Sequence, residues 1–487
     1  MLPLGPQSII CILNVRELLV EFRGRILGSF FFRFLTIYVF SIFITVYACS
    51  AHATFFSLKD AISASLANDP ALLAAEAQLR ADLEALPQAR AALLPRVTAQ
   101  STTSRNNTST RLLSGAVPDM NADYQSRANS LVLSQPLFRR SALLNMQKAE
   151  IGVDIAQVQY RSARQQAIDR LVVAYTEILR LHYEYLASEA AVEAKASGVA
   201  ALRQLYDARQ RGLVERRTAE AQYALEGAQR NELRARLEAS TRELARLTGG
   251  RGLGLGMMPA LPANECATKM LTVLRSEMDT LEILEIDQHP SALLSKLKLE
   301  QAILETRKRE SEHYPTVDLV ASINRGTSAS ELTIGRQINT QYLGIQVNAP
   351  IFSGGGVSSS VREAVALREK AEIDLNNSLL KLKNDRELAH AQIAVAIAQL
   401  EAELASFETA SVVLDLESRR YSSRMSSLVD FYDSRSKLQA ASARIYGAVA
   451  KMISEYSRLR LLIGNLEADM LESLSAKLYS CTIVQGQ

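Results

Sequence analysis

The chain contains no tryptophan, only 12 prolines, five histidines and four cysteines in 487 residues. So few helix breakers, beside abundant Ala, Leu, Glu, Gln and Arg, favour long helices over compact α/β layers. The histidines (His52, His182, His289, His313 and His390) form no cluster at metal-ligand spacing. No metal or cofactor is therefore expected, and an enzyme is a poor reading. No sign of charge prevails either, since 55 basic against 52 acidic residues leave a formal +3. That excludes the one-signed field a nucleic-acid partner requires, and interspersed charge is instead the surface of solvated helices.

Long apolar runs are also missing, with one exception. Phe34 to Ala48 is almost wholly apolar, follows Arg16, Arg23, Arg25 and Arg33, and leads into Ala51-His52-Ala53. Basic region, short apolar core and A-x-A site are the parts of a secretory signal cleaved after Ala53, so residues 1–53 are expected to be a signal peptide with an N-terminal extension. The run is too short for a confident membrane span. A second reading makes Val46-Tyr47-Ala48-Cys49 a lipoprotein box with Cys49 acylated, although Tyr47 is large for that position. Export leaves the mature chain with Cys266 and Cys481, in a compartment where disulfides form; two cysteines alone do not establish a pair.

The mature chain opens on Ser57-Leu58-Lys59-Asp60, an S-x-x-D capping pattern. A helix is expected from there to Leu94, with a break near Pro87, and Pro95 ends it. Residues 96–105 and 128–138 then read as strands joined by a long polar loop, Asn106 to Arg127. Leu131 and Leu133 share one strand face, Val132 and Ser134 the other. From 141 to 211 no proline occurs. Ile168, Leu171, Val172, Tyr175, Ile178, Leu179 and His182 recur there at steps of three and four, predicting one helix of roughly 70 residues, about 105 Å long. Gly212-Leu213-Val214 interrupts it, and a second helix is expected over 218–247. Gly250-x-Gly252-x-Gly254-x-Gly256 has no preceding strand, and Gly354-Gly355-Gly356 is not followed by Lys-Ser/Thr. Both read as flexible connections rather than phosphate loops.

The chain then repeats itself. Asp69-Pro70 and Leu94-Pro95-Arg96-Val97 have counterparts in His289-Pro290 and Tyr314-Pro315-Thr316-Val317, both at an offset of 220. Gln135-Pro136-Leu137-Phe138 matches Ala349-Pro350-Ile351-Phe352 at 214, and Tyr206 with Leu213-Val214 matches Tyr421 with Leu428-Val429 at 215. One unit of helix, two strands, long helix, turn and helix is written twice. The first copy is assigned to 54–266 and the second to 267–471, with a tail over 472–487. The second copy has strands at about 316–325 and 341–352, a long helix over 357–425 and a last helix over 430–462. In 341–352, Leu343, Ile345, Val347, Ala349 and Ile351 alternate with Tyr342, Gly344, Gln346 and Asn348, the weak signature of an outer-membrane strand.

Four strands cannot close a barrel, because the smallest single-chain barrels use about eight, and an open sheet in lipid leaves backbone groups unpaired. If these strands span a membrane, protomers must share one barrel, and three copies of four strands give about twelve. The long helices carry charge throughout, so they must lie outside the bilayer. They pack laterally through stripes such as Leu375, Leu379, Leu382, Ile393, Ile397, Leu400 and Leu404.

In combination, Asn68-Asp69-Pro70, Leu93-Leu94-Pro95, Gln135-Pro136-Leu137-Phe138, Gly212-Leu213-Val214, Tyr314-Pro315-Thr316-Val317-Asp318-Leu319, Pro350-Ile351-Phe352-Ser353-Gly354-Gly355 and Leu428-Val429-Asp430 give a pattern that resembles the TolC family of outer-membrane channels. The resemblance runs from about Phe55 to Leu471. It implies an α+β membrane protein in the outer membrane of a Gram-negative bacterium, extending into the periplasm. Long helices would form an α-barrel, and four strands per protomer would contribute to a twelve-stranded β-barrel in a homotrimer. The partners it implies are outer-membrane lipid, a periplasmic adaptor and an inner-membrane ABC exporter or efflux pump. The function it implies is the exit duct of type I secretion; the alternatives are the outer-membrane part of a tripartite drug or metal efflux pump and a periplasmic coiled-coil adaptor. It also implies that 250–285 and the tail after Leu466 lie at the equator, bringing Cys266 and Cys481 to one level.

By the same resemblance, Asp430 and Asp433 are the carboxylate rings of the periplasmic aperture and Tyr421 belongs to the bond network that shuts it. Where that pattern would place an arginine between the tyrosine and the aspartates this chain has Ser426, with Arg424 two residues earlier. Where it would place an aspartate in the first repeat the chain has Thr218, with Glu215 and Glu220 nearby. Gly212, Leu213, Val214, Leu428 and Val429 are the tip residues offered for adaptor docking. Taken without the resemblance, two acids at a helix start also fit simple dipole preference.

Overall fold

The computed structural model describes residues 58–110, 120–250, 263–279, 285–330 and 333–467, all within one unit, Phe56–Gln487. The signal segment, Cys49, Ser57, Gly252 to Gly256, Cys481 and the side chain of Cys266 lie outside the described residues.

Three helices, α1 (Leu58–Asn68), α2 (Pro70–Leu83) and α3 (Ala85–Ala91), stand where one was expected. The first break comes at Asp69, since Pro70 has no amide to donate and biases its predecessor out of helical space. Asp69 turns extended, with φ −61° and ψ 116°, and Oδ1 accepts from the Ala71 amide at 2.8 Å, which caps α2. Its Oδ2 accepts from Arg170 at 2.9 Å. In the second copy His289 does the same work. Nδ1 accepts from the Ser291 amide at 3.1 Å, and Nε2 lies 3.2 Å from the Leu461 carbonyl. Those two contacts require the neutral ring with its proton on Nε2, and burial lowers the pKa of His289 in the same sense.

The sheet is antiparallel in the order β1-β2-β3-β4, with β1 Arg96–Thr110, β2 Met120–Phe138, β3 Thr316–Ser330 and β4 Thr333–Asn348. Strands of 15, 19, 15 and 16 residues are longer than the roughly 9–11 that a bilayer crossing requires. Most of the polar loop expected over 106–127 is therefore ladder. Its Ser, Thr and Asn residues mimic a loop, yet they pair across strands, as in Ser104 with Ser126 at 2.7 Å and Asn106 with Ser126 at 2.9 Å. Conversely β4 stops at Asn348 rather than running to Phe352, because Pro350 cannot donate to a ladder; Ala349 and Ile351 lie past its end.

The long helices are α4 (Arg140–Asp207), α5 (Leu213–Leu247), α8 (Gly356–Ser422) and α9 (Leu428–Ile463), with α6 (Ala263–Asp279) and α7 (Pro290–Glu310) lying between α5 and β3 in the chain. At 68 and 67 residues, α4 and α8 are each about 100 Å long. Both end some three or four residues before the expected 211 and 425, while α5 and α9 start at 213 and 428 rather than 218 and 430. The boundary expected at 266/267 falls inside α6, a helix that packs on α8 and α9. Helix α4 is central, touching α9, α5, α7 and the α1–α3 segment, while α8 packs on α9 and α7.

The buried core joins Ile168, Leu171, Val172 and Ile178 of α4 to Leu244 of α5, Leu274 of α6, Ile393 and Leu400 of α8, and Ile445, Met452 and Tyr456 of α9. The rings of Tyr183 and Tyr446 stack with centroids 3.4 Å apart. Toward the turns buried side chains thin out. The C-terminal end of α9 is the opposite case, held by three elements. Arg386 donates to the Leu462 carbonyl at 2.8 Å, Gln165 to that of Gly464 at 2.9 Å, and His289 meets Leu461. Gly464 closes the helix with φ +89°, and a Cβ there would lie 3.1 Å from the His289 ring, so both conformation and space call for glycine.

Register places odd-numbered residues of all four strands on one face. Val97 and Ala99, Leu131 and Leu133, Val317 to Ile323 in alternation, and Leu343, Ile345 and Val347 form one apolar field, broken only by Gln135 and Gln341. Val97, Leu131, Ile323, Leu343, Ile345 and Val347 are exposed. On the even-numbered face, Ser104, Asn106, Tyr124 and Ser126 are half-buried and Ala122 is buried, as a concave side would be. The field spans about 20 Å along the strands, and Leu137, Phe138, Ile351 and Phe352 extend it toward the helices.

Candidate functional site

The two turns that join the long helix pairs have one backbone. Arg209 and Arg424 are the only non-glycine residues with positive φ among the described residues, at 55° and 59°. Arg209 N donates to the Tyr206 carbonyl at 2.9 Å and Gln210 N to Leu205 at 2.8 Å. In the second copy Arg424 N donates to Tyr421 at 2.9 Å and Met425 N to Arg420 at 2.7 Å. The next helices start from Gly212 (φ −83°, ψ 162°) and Ser427 (φ −83°, ψ 157°). This is a left-handed helix stop at a place where glycine is usual, and arginine there carries roughly 1–2 kcal/mol of strain. Arg424→Gly is thus expected to raise thermal stability by about 1 kcal/mol, whereas Arg424→Ala keeps the strain. If the side chain helps hold the aperture shut, both variants raise resting conductance, a contrast that scanning calorimetry and planar-bilayer recording read together.

Asp430 is the N3 residue of a capping box. Ser427 Oγ accepts from its amide at 3.2 Å, and its carboxylate accepts from the Ser427 hydroxyl at 2.7 Å and amide at 3.3 Å. The hydroxyl bond, then the amide bond, hold its carboxyl below the ordinary range. Asp433, one turn on, pairs with Lys437 at 2.7 Å. Each acid thus has a local partner, with Asp430 exposed and Asp433 half-exposed.

Tyr421, Ser426, Thr218, Glu215 and Glu220 also find partners within their own repeat. Tyr421 stacks on Phe431 at 5.6 Å. Ser426 donates to Glu417 at 2.7 Å, and Glu417 also meets Arg420 at 2.6 Å. Thr218 donates back to the Val214 carbonyl at 2.9 Å, and Glu215 pairs with Arg211 at 3.3 Å. Glu220 gathers Arg203 and Arg217 at 3.2 Å and Arg216 at 3.8 Å; partial burial works against its charge, but these three cations outweigh it and lower its pKa. Arg216 also lies 4.4 Å over the Tyr206 ring.

Between the copies the tips touch through α9 on α4. Val429 packs over Gly198, where a Cβ would sit 3.8 Å from its Cγ1, and Arg435 faces Glu193 at 3.7 Å. Glu417, Phe431 and this small-residue contact escape sequence reasoning; only the three- and four-residue spacing of Ser427, Asp430 and Phe431 hints at them. Leu213, Val214, Met425 and Leu428 remain exposed at the turns, leaving apolar surface beside a rim of arginines. Nearer the middle, a groove of about 1010 Å³ is lined by Glu177, Arg180, Glu184, Glu403 and Arg444, whose charges pair with one another at 2.5 to 2.9 Å.

The sequence model of the family described as "Outer membrane efflux protein" matches residues 61–250 and 286–465, one segment in each half of the chain. The protease secretion protein PrtF of Dickeya chrysanthemi is 28% identical over 337 residues, which is 66% of this chain and 69% of that protein. The alkaline protease secretion protein AprF of Pseudomonas aeruginosa is 24% identical over 87% of both chains. The outer membrane protein TolC of Vibrio cholerae is 25% identical over 83% of this chain and 90% of its own. Among solved structures, the Campylobacter jejuni CmeC outer membrane channel superposes with a TM-score of 0.66 at 17% identity, over 86% of this chain and 89% of CmeC. The outer membrane protein VceC of Vibrio cholerae does so with 0.61 at 18%, over 84% and 97%. At those identities the likeness is one of fold.

Proposed function

Since the chain belongs to the outer membrane efflux protein family, we propose that it is the outer-membrane exit duct of a type I secretion system, passing an exported protein across the periplasm and outer membrane. One observation carries the conduit reading. A four-stranded sheet with two unpaired edges and an apolar exposed face is unsatisfied in lipid until its edges pair. A second copy pairs them, and three copies close a barrel of about twelve strands. Along α8, Leu367, Ile373, Leu380, Leu388 and Val395 are exposed, an apolar stripe that a neighbouring protomer would cover. No helix among the described residues is long and apolar enough to cross a membrane, which leaves the sheet as the element that meets lipid.

Protein cargo is favoured over small molecules because PrtF and AprF are named for protease secretion. In this reading a periplasmic adaptor docks on Gly212, Leu213, Val214, Leu428 and Val429, and an inner-membrane ABC exporter drives transport. Asp430 and Asp433 ring the periplasmic aperture, with Tyr421, Arg424, Ser426, Thr218, Glu215 and Glu220 around it. Expression in a Dickeya chrysanthemi strain lacking PrtF is expected to restore protease to the medium. Protease retained in the cells while resistance to dyes and antibiotics rises would transfer the chain to drug efflux.

A further inference from the structure

The odd-numbered face of the sheet changes character abruptly partway along the strands. Past the apolar field, the next cross-strand row is Ser101, Asn129, Arg325 and Asn339, and the row after it is Thr103, Arg127, Thr327 and Gln337. Outer-membrane barrels commonly carry an aromatic girdle at this level; here cations and amides stand in its place. The long helices leave from the other end of the sheet and are too polar for lipid. With those helices on the periplasmic side, the rows of Arg325 and Arg127 sit at the outer leaflet.

The charges on this face are not alike. Arg105 is neutralised by Asp123, its Nε 3.0 Å from Oδ1. At the opposite end of the sheet, and on its other face, Arg139 is held by both oxygens of Asp318, at 2.9 and 2.7 Å. Among the described residues Arg325 donates only to the uncharged Asn339 amide, at 3.2 Å, and Arg127 faces no carboxylate. These two are diagonal neighbours across β2 and β3, about 7–8 Å apart at the backbone and within reach of one group between them. Arg127 also lines a concavity of about 460 Å³ with Thr103, Gln125, Thr327, Gln337 and a second cation, Arg336, so hydroxyls, amides and positive charge share one hollow.

Arginine's planar fork matches phosphate oxygens in pairs. Two forks with no carboxylate partner among the described residues, beside hydrogen-bonding neutral side chains on a lipid-facing surface at headgroup depth, suit an anionic lipid. We propose that Arg127 and Arg325 bind the phosphate groups of outer-leaflet lipid, with Thr103, Gln125 and Gln337 adding hydrogen bonds. The site rests on the barrel reading above. In a trimer it recurs three times around the rim and fixes the height of the barrel in the bilayer.

The purified trimer is offered diphosphoryl lipid A, its dephosphorylated form and inorganic phosphate, and bound lipid is read by native mass spectrometry. The trimer is expected to retain the diphosphoryl lipid, Arg127→Gln/Arg325→Gln to retain it at least ten-fold less, and Arg105→Gln to match the parent. Equal retention by parent and double variant, equal retention of the dephosphorylated lipid, or displacement by inorganic phosphate would each overturn the site. If the double variant does not assemble, the single variants Arg127→Gln and Arg325→Gln give the same comparison. A chain that never enters the outer membrane defeats the channel reading instead; a membrane-inserted trimer blind to the phosphates defeats this proposal alone.

Discussion

Replacing Asp430 and Asp433 together by asparagine is expected to remove most of the channel's preference for cations, seen in planar bilayers as a reversal potential moving toward zero. Three copies would place six carboxylates around the aperture, where like charges attract cations and exclude anions. Asparagine is chosen because its Oδ1 still accepts from the Ser427 amide, the bond that Asp430 makes at 3.3 Å. The turn then folds and only the charge is lost. Ser427→Ala is the converse, costing about 1 kcal/mol of cap while leaving both charges and the selectivity in place.

The pH dependence separates a ring from isolated caps. In the protomer the Ser427 bonds lower the Asp430 pKa below 3.8. A group with a depressed folded pKa stabilises the fold above its unfolded pKa, and that stability is lost as pH falls through the folded value. Six converging carboxylates repel one another and raise some of their pKa values. Selectivity that fades above pH 3.8 therefore signals a ring, and selectivity that persists below it signals carboxylates held only by their caps.

The second large effect is expected at Glu277, far from the turns. Arg460 is nearly buried, its side chain 8% exposed. Its Nε donates to Tyr456 Oη at 2.9 Å, and that hydroxyl donates to Glu277 at 3.0 Å. Glu277 balances a cation that has lost its water, so Glu277→Ala is expected to cost about 3–5 kcal/mol and to lower the unfolding temperature of the detergent-solubilised protein. Glu277→Leu combined with Arg460→Met should recover most of the loss, because it removes both charges. Burial pushes Tyr456 up to about 12. For a raised pKa the stability is complete below the unfolded value of about 10 and drains as pH rises toward 12, so alkaline unfolding should begin in that window.

Much of this architecture is legible in the residues, unevenly. The proline-free run after Ser141 and the spacing of Ile168, Leu171, Val172 and Ile178 announce α4, because a long helix buries one stripe and repeats it. The outer halves of β1 and β2 are hidden, since Thr, Ser, Asn and Arg on both faces erase the alternation by which a strand is recognised. Asp69 and His289 share a helix-capping role that chemistry disguises: an imidazole nitrogen accepts an amide much as a carboxylate does, but histidine is seldom read as a cap. Arg209 and Arg424 occupy backbone where glycine is the usual sign, so both helices look longer in sequence than they are. The S-x-x-D spacing that marks Ser57 to Asp60 recurs at Ser427 to Asp430, and the same rule applied there yields Asp430's capping bond. The proposed aperture would be a property of several chains, which one chain's side chains do not encode pairwise.

The anchored end of α9 has a mechanical consequence. With Arg386, Gln165 and His289 gripping its last carbonyls, that end is a pivot, and the helix is a lever of 36 residues, about 54 Å long. A tilt of about 5° at the pivot carries Ser427 and Asp430 sideways by about 5 Å for a helix of that length. Three such levers moving outward together would widen the opening by a multiple of that throw, while Met452, nearer the pivot, moves by only about 1.4 Å. Leverage of this kind would let a well-packed middle coexist with tips that respond to a small push.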